Sequence, residues 1–328
     1  WTDKIITELK EMPNVIVKNR SQVFGYYDHN MTVMFERTGD HLENKPKYTP
    51  RQRLWYIRAK EVLLSTGSIE RPIVFGNNDT PGIFLSAAAK EYIKVYGVLV
   101  GKKPLIFTNN DSAYETALEF KKQGIDPIIL DTREEHSSEL IDAAKSQNIQ
   151  IKFSHAVIAA NGYRKVKSAQ IGRLNKEKTE FENSETIECD CICVSGFWTP
   201  TVHLASQSGN KLKFDDRIDA FVPNKSKQNE TSVGSSKGTF TLKETLNEGF
   251  KSGFELSKKI TNNNNSSSIP NSNETKKNPH DKFWCSPLPK NKNFKRFVDF
   301  QNDVAVSDIE VALREGYRSI EHVKRYTT

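Results

Sequence analysis

The stretch STGSIERP, Ser65 to Pro72, carries the residues with the clearest chemical capacity in this chain. An apolar strand pattern over Glu61 to Leu64 runs into Thr66-Gly67, with Ser68 following. A small residue and a glycine at such a turn let the backbone approach a bound dinucleotide before the chain swings away. The same residues also suit an ordinary strand ended by a glycine turn. A second loop, Gly234-Ser235-Ser236-Lys237-Gly238, precedes a helical pattern with small residues at Gly249 and Gly253. A helix N-terminus there would face an anionic phosphate or a polarised ring oxygen; a plain glycine-rich cap is the competing reading. Asp131 closes a strand about 20 residues after a βα turn, the position of a ribose-binding acid, and equally that of a capping or turn residue.

Cys189, Cys191 and Cys193 form Cys-x-Cys-x-Cys, and strand period predicts all three on one face. That spacing lacks the CxxC turn of zinc and iron sites, so core thiols are expected and no metal. Cys285 stands alone in FWCSPLP. No disulfide framework is indicated, which suits a reducing compartment.

The elements that must position these groups alternate. Residues 3 to 12 read as the end of a helix, and NVIVKNRSQVFGYYD and MTVMFER as two strands around a His29-Asn30 turn. From Gly101 a fresh βαβ unit begins with PLIFTNN, and Gly124 serves as a helix stop. Its first turn, Thr108 to Ala113, contains no glycine, so side chains crowd the place where a pyrophosphate would touch backbone. This unit therefore has the form of a nucleotide domain with weakened or lost nucleotide binding. A hairpin over 163 to 188, the strand CDCICVSG, a short helix near Thr201 to Ser208 and the Gly234 loop follow. The C-terminal part reads as a short strand, a helix capped by Ser307 and a second helix from Ser319.

The expected fold is α/β, of the two-dinucleotide-domain type found in pyridine nucleotide-disulfide reductases, with a small helical C-terminal module. Its expected division is a dinucleotide domain over 1–97 and 195–258, an inserted Rossmann-like domain over 98–165, a connecting hairpin and return strand over 166–194, a disordered low-complexity linker over 259–280 and the helical module over 281–328.

The 328 residues, 36% hydrophobic and 10% aromatic, suffice for two domains with cores. The net charge of +7 is local: between Lys258 and Arg296 nine Lys or Arg face two acids, an excess equal to that of the whole chain. A basic linker on a neutral body, without interleaved aromatic or Gly-rich RNA motifs, argues against a nucleic-acid partner. No apolar run nears the ~20 residues of a membrane span, and a cytoplasmic location is expected. The chain starts at Trp1 and stops at Thr328 inside a helical pattern, so a piece cut at both ends is expected, and a targeting segment could precede it.

GYYDHN (25 to 30), PRQRLW (50 to 55), STGSIERPIVF (65 to 75), TPGIFLSAAAKEYIKVYG (80 to 97), VSGFWTPTVHLASQSG (194 to 209), VDFQNDV and EGYRSIEHVKRYTT together resemble one family, the alpha subunit of heterotetrameric sarcosine oxidase. The resemblance covers nearly the whole chain outside about 260 to 280. It implies beta, gamma and delta partners and oxidation of the small-molecule substrate sarcosine to glycine, with hydrogen peroxide and formaldehyde or methylenetetrahydrofolate. It also implies NAD in this subunit, FAD and FMN in the assembled complex, and tetrahydrofolate in a C-terminal domain beyond Thr328; the glycine loop would lie before Trp1. Amine oxidation itself falls to the beta subunit, and no catalytic residue is assigned to this chain. On the resemblance, Thr66, Gly67, Ser68 and Gly234 to Gly238 would line the cofactor. Related opine and proline dehydrogenase subunits have C-x-C-E-x-V-T where this chain has Asp299 and Gln301, which would not hold an iron-sulfur cluster. The alternatives are an FAD-binding subunit of a proline, opine or other secondary-amine dehydrogenase, and a non-catalytic scaffold covering a partner's flavin.

Overall fold

The computed structural model describes residues 1–261, 280–290 and 292–328. It forms two compact units, residues 1–68 with 200–275 and residues 69–199 with 276–328. The division expected at 98 is thereby moved: residues 69–97 and 166–194 belong with the inserted unit. The reason lies in its sheet, whose parallel strands run in the order Ile83–Leu85, Cys191–Ser195, Pro104–Thr108, Ile128–Asp131, Gln150–Phe153. The return strand CICVS pairs with both Ile83–Leu85 and Pro104–Thr108. It is wholly buried, as is PLIFT, so neither strand can be separated from this core.

Alternation along these strands builds three layers. Ile106, Ile129, Cys191 and Cys193 pack with Ala89, Ile93, Tyr114, Ala117, Phe120 and Ile141 of the helices. Leu105, Phe107, Leu130, Ile192 and Val194 pack on the other side with Val157, Ala160 and Ile171. Those last residues come from an antiparallel sheet of His155–Asn161, Ser168–Arg173 and Glu185–Glu188, the expected hairpin with one added strand. The helix Ser86–Tyr96 ends at Gly97, whose φ of +64° is an αL cap donating to the Tyr92 carbonyl. Ser138 caps the helix Glu139–Ser146 through the Ile141 amide.

The three cysteines do not share a face. Asp190 accepts from the amides of Lys102 and Lys103, which breaks the strand period, and the strand begins only at Cys191. Cys189 joins the opposite cluster, where burial pushes its thiol up to about 12. Cys193 is raised by its hydrogen bond with Cys191 and by burial, which marks a core thiol.

In the first unit, Ser21–Tyr27, Met31–Arg37 and Gln52–Arg58 form an antiparallel meander. The His29-Asn30 turn has φ of +62° and +53°. Asn30 also accepts from the Tyr26 hydroxyl at 2.8 Å and donates to the Lys60 carbonyl at 3.1 Å. Val62–Leu64 pairs in parallel with Glu230–Ser232, a register that ends both strands beside each other. The helix Leu242–Thr261 follows.

The C-terminal module comprises the hairpin Phe297–Asp299 with Val304–Ala305 and helices Val306–Arg314 and Ile320–Thr327. The cap expected from Ser307 is supplied instead by Asp308, which accepts from the Ala305 amide at 2.8 Å. The second helix begins after Ser319 as expected. The DFQNDV segment is a strand and turn: Asp299 accepts from the Gln301 amide at 2.8 Å and from the Asn302 side chain at 2.8 Å. The Asn302 bond holds its carboxyl below the usual range. The expected linker falls almost wholly at 262–279, outside the described residues; Lys259 to Thr261 end a helix.

Candidate functional site

Both glycine loops of the first unit lie at the carboxyl ends of parallel strands, where α/β folds place their ligands. Thr66 is exposed, and its hydroxyl donates to the Thr201 carbonyl at 2.8 Å while the Thr201 amide returns to the Gly67 carbonyl at 3.0 Å. Gly67 therefore sits in a turn held from both sides, with φ +75°. A Cβ built there would meet nothing nearer than Ser235 Oγ at 4.0 Å. Gly67 and Ser235 are thus neighbours across the two loops, with Ser68 half-buried just beyond. The backbone of this turn is open on the side facing Ser235.

The rest of the second loop serves the fold. Ser236 is 1% exposed and spends its hydroxyl on the carbonyls of Val233 and Leu64, at 2.8 and 3.3 Å. Gly238 has φ +90°, and a Cβ there would lie 2.8 Å from Ile218 Cδ1. The Gly234 amide donates to Glu248 Oε2 at 2.7 Å, and Lys237 holds the other carboxylate oxygen at 2.9 Å. The helix start is closed by Thr241 and Glu244: the Glu244 amide donates to the Thr241 hydroxyl, which donates to Glu244 Oε2. The expected phosphate contact at this helix start is therefore corrected. Two carboxylates occupy its first turns, so Gly234 and Gly238 shape the loop and do not offer amides to an anion.

Asp131 is corrected likewise. It is fully buried at the carboxyl end of its strand, and Arg133 binds it bidentately, Nε to Oδ1 at 2.9 Å and the terminal nitrogen to Oδ2 at 2.6 Å. Tyr114 donates to Oδ2 at 2.8 Å, and burial together with that charge raises the phenol strongly. Arg133 pairs with Asp111 at 2.8 Å as well. A guanidinium thus stands where a ribose hydroxyl would need the acid. Sequence reading missed Arg133; its signal was a cation two residues after the strand-ending acid, paired with Asp111 in the glycine-free turn.

Glu70 was also missed. It is 5% exposed and accepts from the Ala87 amide at 2.7 Å and from Ser195, and desolvation raises its carboxyl to about 7. It borders a cavity of about 420 Å³ lined mainly by apolar groups, among them Ile73, Phe75, Phe84, Leu85 and Phe300. Among the described residues no group of three His, Cys, Asp or Glu could hold a metal ion, and no helix is long and apolar enough to cross a membrane.

Comparison with known proteins adds relatives to this geometry. Residues 293–328 match the family model of the sarcosine oxidase A3 domain. The sarcosine oxidase subunit alpha of Rhizobium meliloti (strain 1021) is 33% identical over 331 residues, covering 98% of this chain and 31% of that protein. The chain therefore spans about a third of the relative it matches. Among solved structures, L-proline dehydrogenase from P. horikoshii superposes with a TM-score of 0.67 at 19% identity, over 99% of this chain and 58% of that one. Thioredoxin reductase from T. acidophilum gives 0.50 at 16% identity, over 64% of this chain and 70% of that one. These likenesses establish the fold expected from the sequence, a mixed α/β pyridine nucleotide-disulfide reductase type with a C-terminal helical module.

Proposed function

We propose that this chain, a homologue of sarcosine oxidase alpha subunits along nearly its whole length, is the reductase-like part of such a subunit in a flavin-dependent amine oxidoreductase. The single observation that carries the reading is that similarity at 33% identity, end to end. In this reading the full-length protein works with beta, gamma and delta subunits in the oxidative demethylation of sarcosine to glycine. Peroxide and formaldehyde or methylenetetrahydrofolate are the other products, with FAD and FMN in the assembly and folate bound beyond this chain. NAD is the dinucleotide of this subunit, and the Thr66 to Ser68 turn with Ser235 forms its nearest wall. Gly67 supplies the close backbone approach, and the Thr201 bonds hold the turn rigid. Flavins supply the hydride-accepting chemistry when bound; the residues described here bind and orient.

A scaffold reading is favoured for the second unit alone, where Arg133 neutralises Asp131 and Asp111 internally. The test is to co-express the full-length protein with its partner subunits, denature it, identify the released dinucleotide by mass and assay sarcosine-dependent peroxide. NAD with peroxide supports the proposal. FAD in this subunit without peroxide would move it to a secondary-amine dehydrogenase, and absence of any nucleotide would leave a scaffold.

A further inference from the structure

We infer that the second nucleotide-type fold takes no nucleotide, because the chain's own segment His280–Ser286 lies in the crevice that one would occupy. In an open parallel sheet the ligand crevice opens at the carboxyl ends of the strands where connections diverge to opposite sides. Here that point lies between Pro104–Thr108, which leads outward to Ile128–Asp131, and its other neighbour Cys191–Ser195. The residues just past these two ends are Asn109, Asn110 and Phe197.

The crevice is first stapled across. The Asn109 amide donates to the Ser195 carbonyl at 3.3 Å, and the Asn110 side chain donates to Ser195 Oγ at 3.0 Å. The segment is then bound over it. Asn109 donates from its side chain to the Asp281 carbonyl at 2.7 Å and accepts the Asp281 amide at 3.0 Å. Asn110 bridges His280 in antiparallel fashion. The His280 ring stacks on Phe197 with centroids 4.0 Å apart and planes 7° from parallel, taking an aromatic face that a base or nicotinamide ring would use.

The remainder is anchored as firmly. Phe283, 6% exposed, enters the core against Phe107. The Val74 amide donates to the Trp284 carbonyl at 2.9 Å, and the Ser286 amide to the Val74 carbonyl at 2.8 Å. The Arg71 guanidinium lies 4.2 Å from the Trp284 ring, and Lys178 pairs with Asp281. Backbone pairing, a core aromatic and an ion pair together make a permanent filling rather than a loose cover. The consequence rests on the dinucleotide reading above: any nucleotide held by this chain is confined to the first unit.

Hydrogen exchange on the full-length protein, with and without saturating NADH, is the test. The amides of Asp281, Val74 and Ser286 should keep their protection within about two-fold on NADH addition; acceleration of about ten-fold or more would mean displacement and overturn the inference. An azidoadenine NAD photoprobe should label residues 61 to 68 or 230 to 238. Label at 105 to 113, 131 to 134 or 195 to 198 would overturn the sealed crevice while leaving the dinucleotide reading intact. No label anywhere, with protection unchanged, supports the seal and counts against the dinucleotide reading.

Discussion

The two parallel arrangements in this chain end in opposite chemistry. At Gly67 the strand ends in a turn with φ +75° and 4.0 Å of clearance to Ser235 Oγ, and the hydrogen bonds there hold backbone in place without filling the space a ligand would enter. At Thr108 the strand ends in Asn109, Asn110 and Asp111, each buried and each bonded to protein. One end is an open glycine turn, whereas at the other the Asn109, Asn110 and Asp131 side chains are bonded to protein groups.

The comparison breaks most visibly at Arg133. Arg133→Ala leaves Asp131 and Asp111 buried without their cation and should cost about 3–5 kcal/mol in denaturant unfolding. Arg133→Lys should recover less than half of that, because one ammonium cannot reproduce the fork. A cost near zero would mean that the second crevice is open to water or ions.

Glu70 gives the next largest effect, with a definite pH sign. Its folded pKa of about 7 stands above the ordinary 4.5, so the native carboxyl holds its proton more tightly than the unfolded one. Its relative contribution is fully present below about 4.5 and is lost as pH rises to about 7. Glu70→Gln should flatten that fall, gaining on the order of 3 kcal/mol relative to the parent between pH 4 and pH 8. Stability curves that remain parallel across this range would remove Glu70 from the account.

Ser236 marks the structural half of the open side. Ser236→Ala removes a buried donor from two carbonyls and should cost about 1 kcal/mol while leaving dinucleotide content unchanged. Loss of dinucleotide in a variant of undiminished stability would make Ser236 a binding residue.

Much of this contrast was legible in the sequence. The strand into Thr66-Gly67, the glycine-free turn at Thr108 to Ala113 and the βαβ unit after Gly101 follow from local pattern, and the structure contains each. What local pattern could not supply was long-range pairing. CICVS returns about 85 residues later to the middle of the inserted sheet, so it moves the unit boundary from 98 to 69. Nor could it supply competition for charged groups: Asp131 has the right place for a ribose, but Arg133 is two residues away and already bound to it. Glu248 takes the Gly234 amide from 14 residues on, in the second turn of the following helix, which glycine spacing does not foretell. The cysteine face failed for a local reason, because Asp190 holds two amides and interrupts the alternation.

The most direct measurement of the central claim is dinucleotide content in the full-length protein carrying Gly67→Val, purified with its partner subunits. Bound NAD should be lost, because a branched Cβ fills the approach at a φ that side chains disfavour. Retention of NAD at the parent's stoichiometry in the folded variant would contradict it and remove the Thr66 to Ser68 turn from the binding site.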